Sequence, residues 1–130
     1  MKVAALILLS VGSCGDLIPG ERITAHCDLR VGMDPVGYCQ EWRGLLSAPG
    51  SNITAIGVCE ALGTSYVETS CVDEEHIVAG CYIGELGDGS ESYWWFYDVD
   101  EDGNEVDVED VRRECESGGD DFVEWTPTEF

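Results

Sequence analysis

Hydrophobic residues first occur as a block, Val3 to Leu9, behind Met1 and Lys2; further along they are spaced in shorter, periodic segments. Residues 36–42 (VGYCQEW) cluster β-type side chains ahead of Arg43-Gly44 and predict a first strand. Ala48-Pro49-Gly50 predicts a turn. Ala55, Ile56, Cys59 and Leu62 then share one stripe at helical spacing, with Ser51 or Asn52 as cap and Gly63 as stop. A strand is expected over residues 65–71. After an acidic turn at residues 73–75, HIVAGCYIG alternates and sets Ile77, Ala79, Cys81 and Ile83 on one face, which calls for burial. SYWWFYDV carries rings on both faces and predicts a central or doubly covered strand. From Asp107 a second helix places Val108, Val111 and Cys115 toward a core and stops at Gly118-Gly119; residues 122–125 are expected as a last strand.

A shift of 56 positions, the separation of Cys59 from Cys115, also matches Ser51 to Asp107, Ala55 to Val111, Gly63 to Gly119 and Val67 to Val123. The pattern reads as an internal helix-strand repeat. Two such units on one antiparallel sheet make a two-layer α+β fold, a small disulfide-stapled sheet packed by two helices. Pairing Cys27 with Cys39, Cys59 with Cys71 and Cys81 with Cys115 would be compact, but six cysteines allow about 15 connectivities.

The leading block reads as a secretory signal over residues 1–13, far short of the roughly 20 apolar residues that span a bilayer. Its end, Val11-Gly12-Ser13-Cys14, looks like a bacterial lipobox, with Cys14 as the lipidated residue. Cysteine arithmetic agrees: of 7 cysteines, assigning Cys14 to lipid leaves Cys27, Cys39, Cys59, Cys71, Cys81 and Cys115, an even set for disulfides in an oxidising compartment. Residues 14–26 are expected as an irregular tether and residues 27–130 as a single disulfide-rich domain. Gly15 after the cysteine favours the outer membrane, and simple secretion is the alternative. The membrane is then a partner through the lipid anchor.

Tyr38-Cys39-x-Glu41-Trp42, a helix ending Cys59-Glu60-Ala61-Leu62-Gly63-Thr64, then Cys71, Val78-Ala79-Gly80-Cys81, a tyrosine-rich strand and Cys115-Glu116-x-Gly118-Gly119 occur in order. In this the chain resembles small six-cysteine lipoproteins of myxobacteria and related environmental bacteria. The resemblance implies compartment and architecture and carries no assigned activity. The acidic stretch at residues 98–105 departs from it.

Charge narrows the partners. The chain holds 27 acidic against 6 basic side chains, a formal net charge of -21, which argues against nucleic acid and anionic lipid surfaces. Its apolar and aromatic content argues against disorder. Asp98, Asp100, Asp102, Gly103 and Glu109 match D-x-D-x-D-G-x5-E, the ligand pattern of a calcium loop, although the approach is a strand and Glu105 takes the place of a core aliphatic. A hairpin or strand-to-helix turn explains the same residues. Calcium is therefore the one cofactor in view. Trp94 and Trp95 offer an aromatic platform for sugar rings, against ordinary core packing. No nucleophile elbow, zincin or P-loop pattern occurs. The expectation is an envelope lipoprotein acting as a non-catalytic surface module with an unknown protein or polysaccharide partner, or alternatively a small carbohydrate- or calcium-binding domain.

Overall fold

In the computed structural model, residues 21–46, 50, 52–86 and 89–127 are described. The signal segment and Cys14 lie outside them, as do Ser51 and most of the expected 48–50 turn. The fold is α+β. Strands β1 (Arg22–Asp28), β2 (Tyr38–Leu46), β3 (Ile77–Glu85), β4 (Glu91–Tyr97) and β5 (Asp121–Glu124) form one antiparallel sheet in the order β1-β2-β4-β3-β5. Helices α1 (Ile53–Ala61) and α2 (Val108–Ser117) complete it.

β4 occupies the middle of the sheet, as rings on both its faces require. Trp95 and Tyr97 are buried on one side, while Trp94 and Phe96 face the other beside Tyr38. Trp95 also dictates its neighbour across the strands. A Cβ at Gly80 would stand 2.4 Å from the indole, so only glycine admits the ring there. β1 corrects the tether reading, because Arg22 to His26 are strand. Residues 24–27 are all buried, so no in-out alternation marks the segment. β2 runs past the expected stop at Arg43-Gly44 because Gly44, at φ 83°, forms a bulge opposite Ile23 and Thr24.

Register decides the disulfides. Cys27 lies opposite Gln40, and Cys39 lies opposite Asp28, so the two cysteines point to opposite faces and cannot pair. The bonds are instead Cys27–Cys59, Cys39–Cys71 and Cys81–Cys115, which overturns two of the three compact pairs and retains the last. The row Cys27, Gln40, Trp94, Cys81, Phe122 runs across one face of the sheet. α1 is bonded to one end of that row through Cys59, and α2 toward the other through Cys115. Ala25, Cys27, Trp42, Ala55 and Cys59 pack under α1; Ala79, Cys81, Val111 and Cys115 pack under α2. The reverse face has its own cluster, Cys39, Cys71, Trp95 and Tyr97, flanked by Val123 and Trp125.

The expected repeat is not confirmed. The helix ends do agree, with Gly63 and Gly119 at φ 74° and 79°, and with Thr64 and Asp120 donating back to Cys59 and Cys115. Beyond the helix ends the two segments diverge. β5 is a strand of four residues, whereas after α1 only Val67 pairs, as an isolated bridge to His26. The helix starts differ too: Asp107 and Asp110 form a reciprocal capping box on α2, while the Asn52 side chain caps nothing and turns to Tyr66 and Glu68.

Candidate functional site

Because α1 and α2 are tied toward opposite ends of one row, the middle of that face is left between them. Its floor is Tyr38, Gln40, Trp94 and Phe96. The Tyr38 ring centroid lies 5.0 Å from that of Trp94 and 4.9 Å from that of Phe96. Two concavities meet at Val36 and Tyr38. One, of about 720 Å³, extends under α2, and the other, of about 240 Å³, extends toward the end of α1 at Leu62. Trp94 is half-buried in the smaller one; its indole N–H donates to Gln40 Oε1 at 2.7 Å, and Gln40 Nε2 donates to Ser92 Oγ at 2.6 Å. The amide thus fixes the ring's edge and leaves its face to the groove.

The walls of the larger concavity carry five carboxylates, Asp100, Glu101, Glu105, Asp110 and Glu114, against one cation, Arg113. Arg113 is paired with Asp110, which also caps α2. Glu101 accepts from the Gly37 N–H at 3.0 Å, holding the acidic hairpin against the start of β2. Burial, and after it the charges of Glu114 and Glu101, push the Tyr38 hydroxyl above its ordinary pKa, so it stays a neutral donor at any physiological pH.

The four carboxylates of the calcium pattern are not brought together. Val99 bridges Glu105, and Asp100 N–H donates to Asn104 O at 2.9 Å, so the segment is a hairpin turning at Gly103. That bond occupies the carbonyl that a calcium loop would turn to its ion. Asp100 accepts the backbone N–H groups of Asp102 and Asn104, and these bonds, with Asn104's the largest cause, hold its carboxyl below the ordinary value. Asp98 is engaged by His76 Nδ1 at 3.0 Å and Glu109 by Arg112 at 3.4 Å. Among the described residues, no three His, Cys, Asp or Glu side chains are grouped to hold a metal ion. In a thermal melt at fixed ionic strength, millimolar calcium is accordingly expected to give the same midpoint as magnesium. A calcium-specific rise abolished by Asp100→Ala would show that the hairpin rearranges into a cage.

Of the two tryptophans read as a sugar platform, the structure separates one from the other. Trp95 is buried and its indole N–H donates to Glu41 Oε1 at 2.8 Å, so it belongs to the core. Trp94 lines the groove. The His76–Asp98 pair is exposed, and the hydrogen bond to Asp98 raises the imidazole's pKa. His26, within the segment expected as a tether, is buried in β1, with Nδ1 donating to Thr69 O at 2.7 Å.

Comparison with family profiles, with characterised proteins and with solved structures finds no match to this chain. The groove residues the sequence did not single out are Tyr38, Gln40, Glu101 and Glu114. They come from β2, the acidic hairpin and α2; strand alternation links Tyr38 to Gln40, but no local spacing connects that pair to Glu101 or Glu114.

Proposed function

We propose that this chain is a lipid-anchored, non-catalytic binding module of a bacterial envelope, tethered through Cys14 and presenting the interhelix groove to a partner. The observation that carries the binding site is the open, aromatic-floored strip between two helices that are each fixed to the sheet by a disulfide. Fixing both walls lowers the ordering cost of binding. Support for the anchor is arithmetic: three disulfides use the six other cysteines, and Cys14 is the seventh, standing directly after Val11-Gly12-Ser13. A diacylglyceryl group plus an acyl chain on that residue gives stable attachment where a single chain would not.

A carbohydrate reading has one favouring observation, the half-buried face of Trp94 beside Gln40 and Asp34 in the smaller concavity. The calcium reading loses its ligand set.

Expression of the full chain in a lipoprotein-competent bacterium tests the anchor. Mass spectrometry is expected to show a mature N-terminus at Cys14 carrying the lipid mass, and Cys14→Ser is expected to release the protein from the detergent phase. An unlipidated chain that partitions into water would leave a secreted domain instead.

A further inference from the structure

We infer that the groove receives a basic polypeptide segment with apolar neighbours, a partner chain whose arginine or lysine side chains enter between α2 and the aromatic floor. The inference rests on the groove being the binding site, and it names the occupant from charge and shape.

Charge comes first. Four arginines are already committed within the fold: Arg30 to Asp28 and Asp73, Arg43 to Glu41, Arg112 to Glu109 and Arg113 to Asp110. Glu105 and Glu114, by contrast, line the concavity with no cation matched to either among the described residues. A cleft walled by one sign of charge concentrates ligands of the other sign, and the net charge of -21 reinforces that field.

The floor discriminates further. Tyr38 and Phe96 line the concavity that carries those carboxylates and Trp94 lines the adjoining one, and a guanidinium or ammonium can stack on a ring while its donors reach carboxylate oxygens. A bare metal ion gains no comparable advantage, because the carboxylates do not converge.

Length and rim indicate a polypeptide over a small cation. The two concavities adjoin, sharing Val36 and Tyr38 in their linings, and at about 720 and 240 Å³ they offer more room than one side chain needs. At the α1 end the rim turns apolar, with Leu62 41% exposed and Met33, whose N–H bonds Leu62 O, 71% exposed. An extended segment that alternates basic and apolar residues satisfies both ends at once.

The test is calorimetric titration of the oxidised full chain with an acetylated hexapeptide alternating leucine and arginine. Parallel titrations use its glutamine counterpart, free arginine amide and a neutral β-glucan hexasaccharide, and the Trp94 indole resonance is followed throughout. The basic peptide is expected to bind, to shift that resonance and to weaken as salt rises. The pair Glu105→Gln/Glu114→Gln is expected to reduce affinity about fivefold, whereas Glu60→Gln/Glu85→Gln, outside the groove, leaves it unchanged. Equal weakening by both pairs would reduce the effect to diffuse charge and overturn the inference, as would arginine amide binding as tightly as the peptide. Binding of the hexasaccharide alone, lost in Trp94→Leu, would overturn the basic occupant and leave the groove as the site. If no probe binds or moves the Trp94 resonance, both readings fall.

Discussion

Reduction of the three disulfides is expected to unfold the domain at room temperature without any added denaturant. Cys27–Cys59, Cys39–Cys71 and Cys81–Cys115 close loops with sequence separations of 32, 32 and 34 residues. Loop-closure entropy makes each worth about 3.7 kcal/mol. The first two loops interleave, so their contributions are not additive, but the total is still of the same order as the whole stability of a typical domain, about 5–15 kcal/mol. Little else is large enough to replace them. The core is divided into three small clusters on two faces, and six of its buried residues are the half-cystines themselves. The pairs are separable: Cys81→Ser/Cys115→Ser frees α2 from β3 and is expected to cost about 2–5 kcal/mol, with α1 and its cluster still bonded to β1. Near-ultraviolet circular dichroism of the four tryptophans with and without reductant, and urea midpoints for the paired variants, measure this. A reduced chain that keeps its aromatic signal and a cooperative melt would show that packing alone holds the fold.

The elements legible in the sequence are those whose signals are local. Asp107 with Asp110 at the start of α2, glycine stops at both helix ends and the doubly aromatic β4 all arise from side chains within a few positions of one another. The features that stay hidden depend on pairing across the chain. β1 is buried from Thr24 to Cys27 without in-out alternation, and because Arg22, Thr24 and His26 interrupt its apolar positions it resembles a polar linker. Cys27 and Cys39 are close in sequence yet face opposite ways, and a register of one residue decides it. The acidic hairpin satisfies a ligand pattern in spacing, but its carbonyls and carboxylates are spent on its own turn. Of the platform tryptophans, alternation separates Trp94 from Trp95, and only the position of the helices reveals which of the two faces is open.

Replacing Glu41 with alanine is expected to cost about 3–5 kcal/mol, the second large effect. The carboxylate is fully buried on the face opposite the groove and joins three parts of the molecule. Oε1 accepts from the Trp95 indole at 2.8 Å and from Arg43 Nε at 2.5 Å, and Oε2 accepts from the Cys71 backbone N–H at 3.1 Å. Arg43 in turn lies 5.1 Å from the Tyr93 and Trp95 ring centroids and 5.5 Å from that of Trp125, and its Nη2 donates to Thr126 O at 2.5 Å. Truncation strands the indole N–H and a backbone donor in the interior and leaves the guanidinium without its anion. Glu41→Gln keeps an acceptor of the same shape and is expected to cost less. Arg43→Met removes the cation while retaining its apolar stem. The double variant Glu41→Gln/Arg43→Met is expected to be more stable than the sum of the two single losses predicts, because neither half is then left as an uncompensated charge. Urea midpoints at unchanged slope measure the cycle. A Glu41→Ala chain within about 1 kcal/mol of the parent would show that the buried carboxylate is a bystander, and that the reverse face is held by Cys39–Cys71 and ring packing alone.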